Sequence, residues 1–173
     1  MALRISAKFT AENYINLILF DFTYQIWYIY LGESMIPEFN KYDNLPAGIY
    51  KSSITCIENK FGKSSEERIS LFNDFQKFLK MLSPFKKNIK RLILDGSFVT
   101  SKESPGDIDC IMIIENNFRF TPEIVEELGN SKELYNIHLF VFEEKNTERC
   151  SDMLNFFSKD KDLKPKGIIE VIL

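Results

Sequence analysis

The amino-acid sequence predicts a mixed α/β (α+β) domain in which helices pack on a small β-sheet. Three short apolar runs of strand length, at residues 91–95, 107–114 and 135–142, lie between segments whose apolar residues recur with helical period. A length of 173 residues gives one domain with a real core, not two full-sized ones. Strands and helices mixed in one chain of this size are the pattern of a single sheet covered by helices.

Each element has a local reason. NLPAGIY at residues 44–50 reads as loop or turn, because Pro46 and Gly48 punctuate it. Ser52 and Ser53 can cap a short helix running toward Phe61, and Gly62 ends it. The clearest helix comes next. Ser64 and Ser65 supply its N-cap and Glu66 and Glu67 its first-turn acids. Ile69, Phe72, Phe75, Phe78, Leu79 and Leu82 then fall at helical spacing until Pro84 stops the helix, and core packing accounts for its phenylalanines. Residues 91–95 form a short buried strand that leads into Gly96 and Ser97, and SKESPG at 101–106 is a loop. The strand at 107–114 is apolar enough to lie centrally in a sheet. Thr121 and Pro122 start a helix that ends near Gly129. YNIHLFVF at 135–142 is the third strand, and residues 147–158 are a helix capped by Thr147. The tail at 166–173 alternates weakly and reads either as an edge strand or as an extended packing arm.

The chain carries 22 Lys+Arg against 25 Asp+Glu, a formal charge of −3 at pH 7. That balance argues against a protein that coats nucleic acid by bulk charge, while leaving room for a local basic patch. Cys56, Cys110 and Cys150 are odd in number and show no CxxC pairing, so reduced and largely buried thiols are expected. Residues 15–31, INLILFDFTYQIWYIYL, are the membrane candidate. The stretch is shorter than the roughly 20 apolar residues a span needs, and Asn16, Asp21 and Gln25 interrupt it. Arg4 and Lys8 precede it as in a secretory signal, but no small-residue cleavage site follows. A cytoplasmic protein with no membrane partner is the expectation.

The chemistry is concentrated in LDGSFVTSKESPGDID at residues 94–109. Gly96 and Ser97 follow a strand, and after a nine-residue gap Asp107-Ile108-Asp109 opens the next one. Residues two apart on a strand point to one face, so Asp107 and Asp109 project together. Two adjacent carboxylates are costly unless a positive charge offsets them, and a hard divalent cation does so while keeping positions open for phosphate oxygens. Gly96 allows a phosphate to approach the backbone, and Ser97 can donate hydrogen bonds to it. The set suits phosphoryl or nucleotidyl transfer, where catalysis is mostly positioning and charge neutralisation. A solvated loop is the bland alternative.

These residues resemble the signature of the nucleotidyltransferase superfamily with the DNA polymerase β-like fold. Residues 35–173 further resemble a group of uncharacterised bacterial and phage proteins of that fold, through NLPAGIY, LDGSFVTSKESPGDIDC and the closing PKGIIEVIL. The resemblance implies a small sheet with helices on one face, an NTP substrate with its phosphates at Gly96 and Ser97, and Asp107 and Asp109 as ligands of Mg²⁺ or Mn²⁺. The superfamily pattern supplies a third carboxylate on the following strand, and the aligned position here holds His138. Imidazole ligates metals but matches Mg²⁺ poorly. His138 is therefore either a third ligand or an ordinary strand residue, with Glu143 and Glu144 as substitutes at the strand's end. Lys102 and Lys166 could reach the phosphates and Arg91 starts the motif strand, but a charged residue on a surface is usually only solvated, and that is the first reading of all three.

Two functions stay open. One is metal-dependent transfer of NMP from an NTP to a hydroxyl acceptor on a protein, an RNA or a small molecule. The other is a catalytically weak or inactive binding module of antitoxin or regulator type, which would use the same pocket for a nucleotide or a protein partner and which His138 favours. The N-terminus has a separate reading. Residues 1–34 hold eight aromatic residues, Trp27 among them, with five charges and no Pro or Cys. Codons for Leu31-Gly32-Glu33 can read as a purine-rich ribosome-binding sequence just before Met35. Residues 1–34 are accordingly expected to be a mis-assigned gene start, and residues 35–173 the domain.

Overall fold

The computed structural model describes residues 36–173. The membrane candidate at 15–31 and the gene-start expectation for 1–34 lie outside the described residues. Among those described, five strands and five α-helices follow in the order β1 (Gly48–Ser52), α1 (Ile54–Phe61), α2 (Glu66–Leu82), β2 (Ile89–Asp95), β3 (Ile108–Ile114), α3 (Pro122–Gly129), α4 (Ser131–Tyr135), β4 (Ile137–Glu143), α5 (Thr147–Phe157) and β5 (Gly167–Val171). This is the mixed α+β architecture that the sequence predicts.

Side-chain caps set the starts of α1 and α2. The Ser53 side chain accepts from the Cys56 amide and the Ser65 side chain from the Arg68 amide, each at 3.3 Å. The Gly62 amide donates to the Glu58 carbonyl and closes α1. Pro84 does not end the chain's helical turn at once, because Ser83–Asn88 continue as 3₁₀ before β2.

The sheet order is β1-β5-β2-β3-β4. β1 runs parallel to β5 and β3 parallel to β4, whereas β2 is antiparallel to both neighbours. One face carries Leu92, Leu94, Cys110, Met112, Ile169 and Val171 into a core with Phe61, Phe72, Phe75 and Phe78 from α1 and α2. The opposite face carries Ile93, Ile111, Ile113 and Ile168 against Cys150, Met153, Leu154 and Phe157 of α5. Helices therefore cover both faces, not the single face that the resemblance implies. Both sides of β2 and β3 are apolar, and a sheet with two apolar faces needs two covers.

Four local expectations are corrected. The tail is neither an edge strand nor an arm: β5 is interior and buried along its length, between β1 and β2. The NLPAGIY segment is not loop throughout, since its last residues open β1, an edge strand that pairs with a partner at the other end of the chain. Tyr135 does not begin the third strand. It ends the short helix α4, which Asn136 closes in the left-handed conformation at φ 55°. Thr147 is the first residue of α5, with Asn146 in the capping position.

The β1–β5 pairing brings NLPAGIY against PKGIIEVIL, with Gly48 opposite Gly167 and the Gly167 amide donating to the Leu45 carbonyl at 2.9 Å. Gly167 is needed there because a Cβ would stand 2.3 Å from the Pro46 carbonyl oxygen. Gly167→Ala is expected to destabilise the fold by about 1–3 kcal/mol, since the obstacle is backbone and cannot rotate away. Urea denaturation measures it, and unchanged stability contradicts the close approach.

Candidate functional site

Strand register creates the site. Asp95 is the last residue of β2 and pairs with Asp109 on β3; Asp109 pairs in turn with His138 on β4. Register partners share a face, so these three side chains form a row across adjacent strands. Asp107 lies two residues before Asp109, just ahead of β3, and its carboxylate meets Lys132 of α4. The next row inward is apolar: Ile93, Ile111 and Phe140 pack with Phe157 of α5. The polar row thus begins where this apolar contact stops.

Each acid in the group faces a cationic or ionisable partner from another element. Lys166, just before β5, donates to Asp95 Oδ1 at 2.6 Å, and both side chains are buried. Burial pushes the Asp95 carboxyl up to about 6, helped by nearby Asp109, against the pull of Lys166 and of the Gly96 amide. His138 Nδ1 lies 3.3 Å from Asp109 Oδ1, with the imidazole packed on the Phe140 ring at 4.6 Å. Lys132, from α4, donates to Asp107 Oδ2. Asp107 and Asp109 are partly open to solvent, at 32% and 28% of their side-chain surface.

Gly96 turns the chain at φ +78°, a conformation that favours glycine. A Cβ at this position would stand 2.1 Å from Asp109 Oδ2. The missing side chain thus makes room for the carboxylate on the neighbouring strand, which is a second demand on this residue beside access to its backbone.

Past Gly96, Ser97–Val99 form a 3₁₀ turn, and Thr100 Oγ1 donates back to the Ser97 carbonyl at 2.8 Å. The loop that follows is anchored by Arg68 of α2. Its buried guanidinium donates to the carbonyls of Phe61, Phe98, Thr100 and Lys102. Among the described residues no carboxylate pairs with it, and burial lowers its pKa from the usual arginine value. Five N–H donors in a rigid fork suit this task, which a lysine could not perform.

The residues singled out in the sequence do not share one place, and Lys166 is neither a solvated surface charge nor open to a phosphate, being buried on Asp95. Gly96, Ser97, Asp107, Asp109 and His138 come together at the same end of the sheet, with His138 in register with Asp109. Lys102 stands on the exposed loop, its carbonyl held by Arg68. Glu143 and Glu144 are absent from the site: Glu143 pairs with Ile114 at the far end of β4, about 16 Å from His138's level, and binds Arg119 and Lys145. Arg91 is a tie between strands, bonded to Glu170 of β5 at 2.6 Å. Sequence reasoning missed Asp95, Lys132 and the role of Arg68. The position of Asp95 directly before Gly96-Ser97 was a usable signal; Lys132 had none, because α4 is five residues long.

For a divalent cation the donors on offer are two partly exposed carboxylates, Asp107 and Asp109. Among the described residues no three His, Cys, Asp or Glu side chains gather as a ready-made metal cage. Two half-open carboxylates two residues apart suit Mg²⁺, which is bound through one or two carboxylates with phosphate oxygens and water in the remaining positions. Asp95, turned inward onto Lys166, is outside that set. Among the described residues no helix is long and apolar enough to cross a membrane, and Cys110 and Cys150 are buried free thiols while Cys56 is partly buried.

A family of unknown function, DUF6932, matches residues 37–172, and the chain belongs to it. Comparison with curated proteins gives no match, and comparison with solved structures gives none.

Two outcomes follow from this geometry. Gly96→Ala is expected to displace Asp109 and to lower stability by about 1–3 kcal/mol, through the positive φ and the carboxylate contact together; an unperturbed Asp109 carboxyl resonance contradicts this. Asp95 should titrate near pH 6 by carbon-detected NMR. With its pKa raised on folding, its contribution to stability is present below pH ~4 and is lost as pH rises through about 6. Lys166→Met removes the attraction and moves the Asp95 midpoint higher still; a midpoint near 4 in both proteins is incompatible with the buried pair.

Proposed function

We propose that this end of the sheet binds a nucleoside triphosphate with Mg²⁺ or Mn²⁺ and transfers NMP to a hydroxyl acceptor on a protein, an RNA or a small molecule. The observation that carries the reading is the placement of half-open Asp107 and Asp109 at the entry to β3, beside the Gly96-Ser97 turn that ends β2. Asp107 and Asp109 would hold the cation, whose chemistry is charge neutralisation and polarisation of phosphoryl oxygens. Gly96 lets the phosphates approach the turn, the Ser97 hydroxyl binds and orients them, and Arg68 keeps their loop in place. Buried free thiols agree with a cytoplasmic protein.

A second reading has its own support. His138 stands in register with Asp109, where the resemblance calls for an acid, and lysines of the chain itself already pair with Asp107 and Asp95. A nucleotide- or partner-binding module of antitoxin or regulator type would keep such a site without turnover.

Incubation with labelled NTPs and Mg²⁺ or Mn²⁺, alone and with lysate, distinguishes the two. Transfer is expected from the wild type and is expected to fall about 100-fold or more in Asp107→Ala/Asp109→Ala. Absence of transfer, together with nucleotide binding equal in wild type and double variant, rejects the site altogether. Nucleotide binding without transfer, with turnover created by His138→Asp, selects the binding module instead.

A further inference from the structure

We propose that the Lys132 ammonium holds the metal's place on Asp107, and that binding of a metal–triphosphate moves this lysine from the carboxylate to the phosphates. The inference rests on the nucleotide site proposed above and names the residue that controls entry to it.

Helix α4 is built to present this one side chain. Its ends are fixed: Ser131 Oγ donates to the Ile137 carbonyl at 3.0 Å, and buried Tyr135 meets the Phe78 ring edge-on at 5.6 Å. Asn136, which closes the helix, accepts from the Ile108 amide at 3.0 Å, next in sequence to Asp107. Asn136 Nδ2 also donates to Asp74 of α2 at 2.9 Å. The backbone of α4 is thereby tied to the start of β3, while the Lys132 side chain reaches over Asp107 with 49% of its surface still exposed.

The two lysine–aspartate pairs of the site differ in the property that matters. Lys166 and Asp95 expose 9% and 7% of their side chains and are sealed inside the protein. Lys132 and Asp107 expose 49% and 32%. A pair this open is screened by water and weak, so a divalent cation can displace the ammonium from the carboxylate. Removing the ammonium from a buried pair leaves an uncompensated charge, which makes the Asp95 pair permanent. Once a divalent cation neutralises Asp107 and Asp109, Lys132 becomes surplus positive charge beside a site that receives a triphosphate. A compact ammonium on a flexible stem then finds its best partner in phosphate oxygens.

The signature is a reversal of sign. Removing the lysine relieves competition for the bare metal and deletes a partner of the phosphates. Free Mn²⁺, followed by electron paramagnetic resonance, probes the first effect; Mg²⁺ with inorganic tripolyphosphate, followed by calorimetry, probes the second without any base preference. Lys132→Met is expected to bind Mn²⁺ about fivefold more tightly and Mg²⁺-tripolyphosphate about tenfold more weakly than wild type. Lys132→Arg keeps the charge and should stay near wild type in both measurements, and Asp107→Asn should lose Mn²⁺. A merely structural lysine would move both affinities in the same direction, or neither; either result overturns the proposal while leaving the metal site standing. If neither wild type nor Lys132→Met binds Mn²⁺, the proposed nucleotide site itself falls, and the role of Lys132 with it.

Discussion

Two carboxylates set side by side at one end of a β-sheet, those of Asp95 and Asp109, repel one another, and this repulsion shapes the site around them. Asp95 and Asp109 are register partners, and Asp107 lies two residues before Asp109, just ahead of β3. Sheet pairing gives them no freedom to separate, so other elements must supply the offsetting charge. Lys166 does so from the turn before β5, His138 lies beside Asp109 from β4, and Lys132 answers Asp107 from α4. Gly96 belongs to the same constraint: its absent side chain is the space in which the Asp109 carboxylate rests.

The scaffold that enforces this placement is held from two directions. Apolar packing on both faces fixes the strands that carry the acids, with the phenylalanines of α1 and α2 on one side and α5 on the other. Pairing between the two distant ends of the described chain then sets β5 between β1 and β2, and brings Lys166 to Asp95. Arg91 and Lys51 both meet Glu170, so the otherwise costly acid in the middle of β5 is neutralised from both adjacent strands. The loop after Gly96 is anchored at its start by Phe98 and Val99, which are buried in the core. The Arg68 guanidinium adds hydrogen bonds to four carbonyls, including those of Thr100 and Lys102 further along the loop. A charge buried without an acid partner is expensive to hold, and its use here marks the loop geometry as tightly specified.

Much of this could be read from the residues alone. The helix caps at Ser53 and Ser65, the Phe-rich face of α2 and the buried strands β2 and β3 rest on local patterns that the fold leaves intact. So does the nearness of Gly96-Ser97 to Asp107 and Asp109, because one short loop joins two adjacent strands. What escaped depends on distant pairing. β1 is a strand only through β5, more than a hundred residues away, and β5 is interior only through β1. Helix α4 is a single turn or so, too short for a periodic signal, and Lys132 was invisible with it. The partner of Lys166 could not be guessed, since its 71-residue separation from Asp95 is closed by the sheet order. His138 itself was legible as the one imidazole in the chain; its register with Asp109 was a fact of the sheet.

The central claim is that Asp107, Asp109 and the Gly96-Ser97 turn form one cation- and phosphate-binding site. The most direct measurement is paramagnetic broadening of amide resonances by Mn²⁺ in the presence of tripolyphosphate. Broadening concentrated at Gly96, Ser97, Asp107, Asp109 and His138, and reversed by excess Mg²⁺, is the result the account predicts. Broadening centred instead on the exposed acids at the far end of β4, around Glu143, contradicts it.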